Sequence, residues 1–85
     1  MIEETCTCSV LMIDDQAYAQ DFLAHCFDSC PDVAMRYDPR AEDAVALARE
    51  VQATVVLVDL RMPGVDGFDV ITMLRAHPDT EHIPV

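Results

Sequence analysis

Short apolar runs alternate along the chain with segments whose hydrophobic positions recur at helical spacing. Residues 9–14, Ser-Val-Leu-Met-Ile-Asp, are an apolar run ending in acid, which predicts a buried strand. Over residues 16–30 the apolar positions are Ala19, Phe22, Leu23, Cys26, Phe27 and Cys30, the spacing of one helix face, and Pro31 stops that helix. Residues 33–37 read as a second, shorter strand. Asp38-Pro39 reads as a helix start, with Asp as N-cap and Pro at the first helical position. That helix is expected to run to about residue 51, with Ala41, Ala44, Val45, Ala48 and Val51 facing inward. The strongest strand is 54–59, β-branched and apolar on both faces. Residues 60–67, Leu-Arg-Met-Pro-Gly-Val-Asp-Gly, are a loop built from turn residues. A third helix is expected over about 68–76, with Phe68, Ile71 and Leu74 on one side, ended by His77-Pro78. Residues 81–85 look like the approach to a fourth strand.

The pattern is βαβαβα followed by a strand start, in one domain with no repeat, low-complexity tract or linker. It predicts a parallel sheet with helices on both faces. The 52% hydrophobic content suits such a layered fold, whose central strands are covered on both sides. No apolar run approaches the ~20 residues that a bilayer crossing needs. The first eight residues read as a tail. It is acidic and lacks the basic start and apolar core of a signal peptide, so the expected location is cytoplasmic.

Charge narrows the partners. Sixteen Asp and Glu stand against five Arg and no Lys, for a formal net charge of −11. A phosphate backbone would be repelled, so direct nucleic-acid binding is not expected, whereas divalent cations and basic surfaces are plausible ligands. Of the four cysteines, Cys6 and Cys8 form a C-x-C pair in the tail. Cys26 and Cys30 fall on the apolar helix stripe and read as core thiols. Their spacing is poor for zinc, and a cytoplasmic protein argues against disulfides.

In an open doubly wound sheet of order 2-1-3-4-5, ligands bind outside the carboxyl ends of strands 1 and 3. Strand 1 ends in Asp14-Asp15 and strand 3 in Asp59. With neighbouring strands ~4.8 Å apart, these carboxylates would crowd at one rim. Any one of them alone would read as a turn former, and Asp15 as a cap for the first helix. Their convergence at the switch point favours a site. A hard, oxygen-seeking ion such as Mg2+ would neutralise it and leave room for a phosphate.

These residues also carry a family resemblance. Ile13-Asp14-Asp15, then Val56-Leu57-Val58-Asp59-Leu60-Arg61-Met62-Pro63-Gly64-Val65-Asp66-Gly67, and the ending His82-Ile83-Pro84-Val85, resemble the receiver domain of two-component response regulators. The resemblance runs from Ser9 onward. It is most similar to receivers that precede diguanylate-cyclase output domains. It implies a flavodoxin-like, CheY-like fold, incomplete here, with 1–85 as a partial receiver domain. It also implies that Asp59 takes a phosphoryl group from a sensor histidine kinase or a histidine phosphotransferase. Asp14, Asp15, Asp59 and the backbone carbonyl of Arg61 would hold Mg2+. Arg61 would bear on the access of water to the phosphate, while Met62, Pro63 and Gly67 would shape the loop, Gly67 by tolerating unusual dihedrals.

The family pattern also requires a Ser or Thr ending strand 4 and a Lys ending strand 5. The 85 residues contain neither: Thr72 and Thr80 precede strand 4, and there is no Lys. The output domain would lie elsewhere. The alternative expectation is a non-phosphorylated interaction or oligomerisation fragment. On either reading the folded chain is expected to hide the bare edge of strand 3 by self-association or strand exchange. A turnover enzyme is not expected. An Asp-nucleophile phosphatase would need Asp-x-Asp after its first strand, and no Gly-x-Gly-x-x-Gly loop supports a dinucleotide site.

Overall fold

The computed structural model describes residues 8–26, 28 and 32–85. Three parallel strands, β1 (Cys8–Ile13), β2 (Val33–Asp38) and β3 (Val55–Val58), form a sheet of order β2-β1-β3. Helix α1 (Tyr18–Cys26) joins β1 to β2. A single 3-10 turn (Ala41–Asp43) runs into α2 (Ala44–Glu50) before β3, and α3 (Gly67–Ala76) follows it. Register pairs Ile13 with Asp38 on one side and with Val58 on the other, so all three strands end at one rim. With β1 central, right-handed crossovers put α1 on one face and α2 on the other. The fold is the expected α/β doubly wound sheet.

Alternation along the strands sorts their side chains between the two faces. Leu11, Ile13 and Val56 belong to one buried cluster with Ala44, Leu47 and Ala48 of α2 and Val70 and Leu74 of α3. Val10, Ala19 and Leu23 are also buried but lie outside that cluster. The loop joins the core too, for Met62 is 7% exposed and packs within the main cluster.

Four expectations are corrected. Cys26 is exposed rather than a core thiol, because α1 buries only Ala19 and Leu23; Phe22 on the same stripe is 68% exposed. Cys6, Phe27, Cys30 and Pro31 lie outside the described residues. Among the described residues, Cys8 and Cys26 are free thiols, and Cys8 opens β1 rather than closing a tail. Phe68 is likewise exposed; of the expected stripe Leu74 is buried and Ile71 half-buried, and α3 also buries Gly67 and Val70. Finally, Asp38 does not cap a helix. It ends β2, buried, and accepts from the Arg40 backbone N–H at 2.9 Å and from the Arg40 guanidinium Nε and Nη2 at 2.9 and 2.8 Å.

The hydrogen bonds from the Arg40 side chain hold the Asp38 carboxyl below its ordinary value of 3.8 against the opposing pull of burial; the Arg40 backbone N–H and the charges of Arg40 and Arg36 add to them. Because the unfolded chain then binds the extra proton, this interaction stabilises the fold fully above pH 3.8. The contribution is lost as pH falls through the lower folded-state value. Asp38→Ala is expected to lower stability by about 1–3 kcal/mol at pH 7. In urea denaturation, the gap between variant and wild type should close on acidification.

The outer edge of β3 is not bare. The Val56 N–H donates to the Pro84 carbonyl at 2.9 Å, the first rung of pairing with the expected fourth strand. Ile83 is buried in the core cluster beside it. Thr80 Oγ1 is fully buried and donates to the Leu74 carbonyl at 2.7 Å, and Thr72 Oγ1 donates to the Phe68 carbonyl at 3.0 Å. Both hydroxyls are thus engaged on α3.

Candidate functional site

The rim where β1 and β3 end carries the acids that their sequence positions nominate. The Asp59 N–H donates to the Ile13 carbonyl at 3.0 Å, which carries the β1–β3 ladder one residue past the strands. Asp59 is thereby tied to the residue just before Asp14. The chain turns away from the sheet at both points by the same local device. Asp14 Oδ1 accepts from the Gln16 N–H at 2.8 Å, and Asp59 Oδ1 accepts from the Arg61 N–H at 3.0 Å. The first of these places Asp14 in the turn that leads into α1.

One carboxylate oxygen from each of Asp14, Asp15 and Asp59 lies within 4.8 Å of the others. Asp14 and Asp59 are half-buried and Asp15 is exposed. The negative field is felt nearby. Burial first, and then the charges of Asp14, Asp15 and Asp38, hold the Tyr37 phenol above its ordinary value of 10.0. Three mutually repelling oxygen donors, partly open to solvent, are a donor set suited to a hard divalent cation. Arg61 reaches this rim through its backbone; its residue as a whole is exposed.

Two features of the loop were not legible in its turn residues. The positive φ belongs to Gly64, at +81°, where a side chain would be strained. Gly67 has a different duty, close approach: a Cβ there would fall 2.6 Å from the Asp59 carbonyl oxygen and 2.6 Å from the Leu60 Cα. A reciprocal capping box opens α3: the Asp69 N–H donates to Asp66 Oδ1 at 2.9 Å, and the Asp66 N–H to Asp69 Oδ2 at 3.2 Å. The signal was present as Asp-x-x-Asp before an apolar run, with Asp in place of the usual Glu.

Fold and rim together define a doubly wound α/β domain with a cluster of acids at its switch point. The sequence matches the family described as the response regulator receiver domain over residues 10–85, and the chain belongs to that family of two-component systems. It is 31% identical over 88 residues to a probable cyclic di-GMP phosphodiesterase of Vibrio cholerae, covering 99% of this chain and 19% of that protein. It is 30% identical to the cyclic di-GMP phosphodiesterase response regulator RpfG of Xanthomonas campestris, covering 91% of this chain and 21% of that one. Among solved structures, the N-terminal domain of a response regulator receiver protein from Methanoculleus marisnigri superposes with a TM-score of 0.81 at 21% identity, covering 91% of this chain and 62% of that one. Vibrio cholerae CheY4 gives 0.79 at 21% identity, covering 91% and 63%. The chain therefore spans about a fifth of these curated relatives and about three-fifths of these solved chains. Among the described residues, no helix is long and apolar enough to cross a membrane.

Proposed function

We propose that this chain is the phosphoacceptor part of a bacterial two-component receiver, with Asp59 as the acceptor. The observation that carries the reading is the convergence of Asp14, Asp15 and Asp59 within 4.8 Å at the switch point. An Asp59 carboxylate oxygen attacks the phosphorus of a phosphohistidine on a sensor histidine kinase or histidine phosphotransferase. The P–O bond forms as the P–N bond breaks, and the imidazole leaves. Such a transfer depends on alignment and charge neutralisation more than on covalent help from the protein. The Arg61 N–H on Asp59 Oδ1 orients that carboxylate. Asp14, Asp15, Asp59 and the Arg61 carbonyl would hold Mg2+, which when bound offsets the negative charge of the acids and of the arriving phosphoryl group.

This reading makes the chain a cytoplasmic signalling module rather than a turnover enzyme. The output it couples to would be carried by another domain. The cyclic di-GMP phosphodiesterase names of two relatives favour an output that degrades that nucleotide.

The chain incubated with Mg2+ and acetyl phosphate is expected to gain an acid-stable, base-labile phosphoryl adduct, read as a mass shift. Asp59→Asn should abolish it. A second reading, an interaction module that is not phosphorylated and associates with itself, is favoured by one observation: Leu57, paired in register with the half-buried Met12, is 37% exposed within the sheet. The same labelling separates the two, since that module forms no adduct.

A further inference from the structure

We infer that Gly67 is a positioning residue for the acceptor: the bare first turn of α3 is the seat against which Asp59 is held. The inference rests on the reading of Asp59 as acceptor and metal ligand. Two contacts fix the Asp59 backbone from opposite sides. Its N–H is tied to the Ile13 carbonyl at 3.0 Å. On the carbonyl side, Gly67 packs so closely that an ideal Cβ would meet the Asp59 oxygen at 2.6 Å, the Leu60 Cα at 2.6 Å and the Leu60 Cδ2 at 2.8 Å. The first two are backbone atoms and cannot swing aside as a side-chain end can. Gly67 lies inside a helix and shows no left-handed backbone, so conformational freedom does not explain a glycine here.

The capping box of Asp66 and Asp69 fixes where α3 begins, and so where Gly67 meets Asp59. A methyl group at residue 67 must therefore displace either the helix start or Asp59. The helix is held by Val70 and Leu74, both fully buried, so the softer response is to move Asp59 away from Asp14 and Asp15. Carboxylates that must share one ion within 4.8 Å tolerate little such movement.

The test compares Gly67→Ala with Val70→Ala, a core change in the same helix that leaves the contact with Asp59 intact. Mg2+ affinity is read by calorimetric titration, and the Asp59 and Arg61 amide resonances are read without metal. Gly67→Ala is expected to weaken Mg2+ binding by about tenfold to a hundredfold and to shift both resonances. Val70→Ala should cost stability yet change affinity less than about twofold, the scale of an indirect effect. Adding Leu60→Ala to Gly67→Ala removes only the side-chain clash, so it should not restore affinity.

If Gly67→Ala does not fold, Asp66→Ala against Asp66→Asn decides. Both remove the charge but only Asn keeps the cap, so Asp66→Ala should bind Mg2+ more weakly than Asp66→Asn. Equal affinities in either comparison, or full rescue by Leu60→Ala, would overturn the positioning role. If the wild type binds no Mg2+, the proposed function fails instead. The metal-free amide shifts then judge Gly67 alone: displaced resonances uphold it and unmoved ones reject it.

Discussion

Asp14→Asn is expected to make the metal-free protein more stable while removing its response to Mg2+. Asn keeps the oxygen that accepts from the Gln16 N–H, so the turn into α1 survives. What disappears is one of three like charges whose oxygens lie within 4.8 Å. Each such pair repels by about 1 kcal/mol at the dielectric of water, and by more where solvent is partly excluded. Relief of about 1 kcal/mol would raise the melting temperature of a domain this size by roughly 4–8 °C. The wild type should instead be stabilised by the metal, by about 2.7 kcal/mol at a hundredfold excess over Kd. Thermal unfolding of both proteins with and without Mg2+ reads the two effects. A variant that keeps the full Mg2+-dependent shift would remove Asp14 from the proposed ligand set.

Ile13→Ala should produce the largest loss of stability near the site. Ile13 is fully buried in the main cluster, its carbonyl anchors Asp59, and it immediately precedes the acidic pair. Truncating a large aliphatic side chain at such a position costs about 2–5 kcal/mol, depending on how far the surroundings collapse. A domain of this size is stable by only about 5–10 kcal/mol, so much of the fold's margin would go. The same change leaves a cavity in the core next to the strand end that carries Asp14 and anchors Asp59. Urea denaturation should show a lowered midpoint, and Mg2+ affinity should fall even where the variant is fully folded. A loss below about 1 kcal/mol would mean that the site collapses far more readily than large-to-small core changes normally allow.

Much of this architecture follows from the pattern of the chain. The alternation of apolar strands with helix-period segments predicts a parallel doubly wound sheet, and β2-β1-β3 is its order. Asp14, Asp15 and Asp59 could be nominated because strand ends are marked by an abrupt change from apolar to acidic residues. The switch-point rule brings those ends together without knowledge of any distance. Where single elements depart from the pattern, the reason is competition for partners that sequence does not display. The stripe of α1 continues through Phe22 and Cys26, but the sheet covers only Ala19 and Leu23. Asp38 has the signature of a helix cap, yet Arg36 and Arg40 offer it charge, and it ends a strand instead.

Sequence alone therefore determined the α/β class and the identity of the three acids at the strand ends, because both depend on local residue type and hydrophobic period. The strand order was implied by the family resemblance and is borne out by the sheet. Only the tertiary structure decided how Asp59 is held: its N–H against β1, its carboxylate against the Arg61 N–H, its carbonyl against a glycine that must lack a side chain. The first and last of those constraints join residues from separate elements at distances of about an atom's width. Spacing along a chain carries no record of such approaches, since they arise only when the helices and sheet pack.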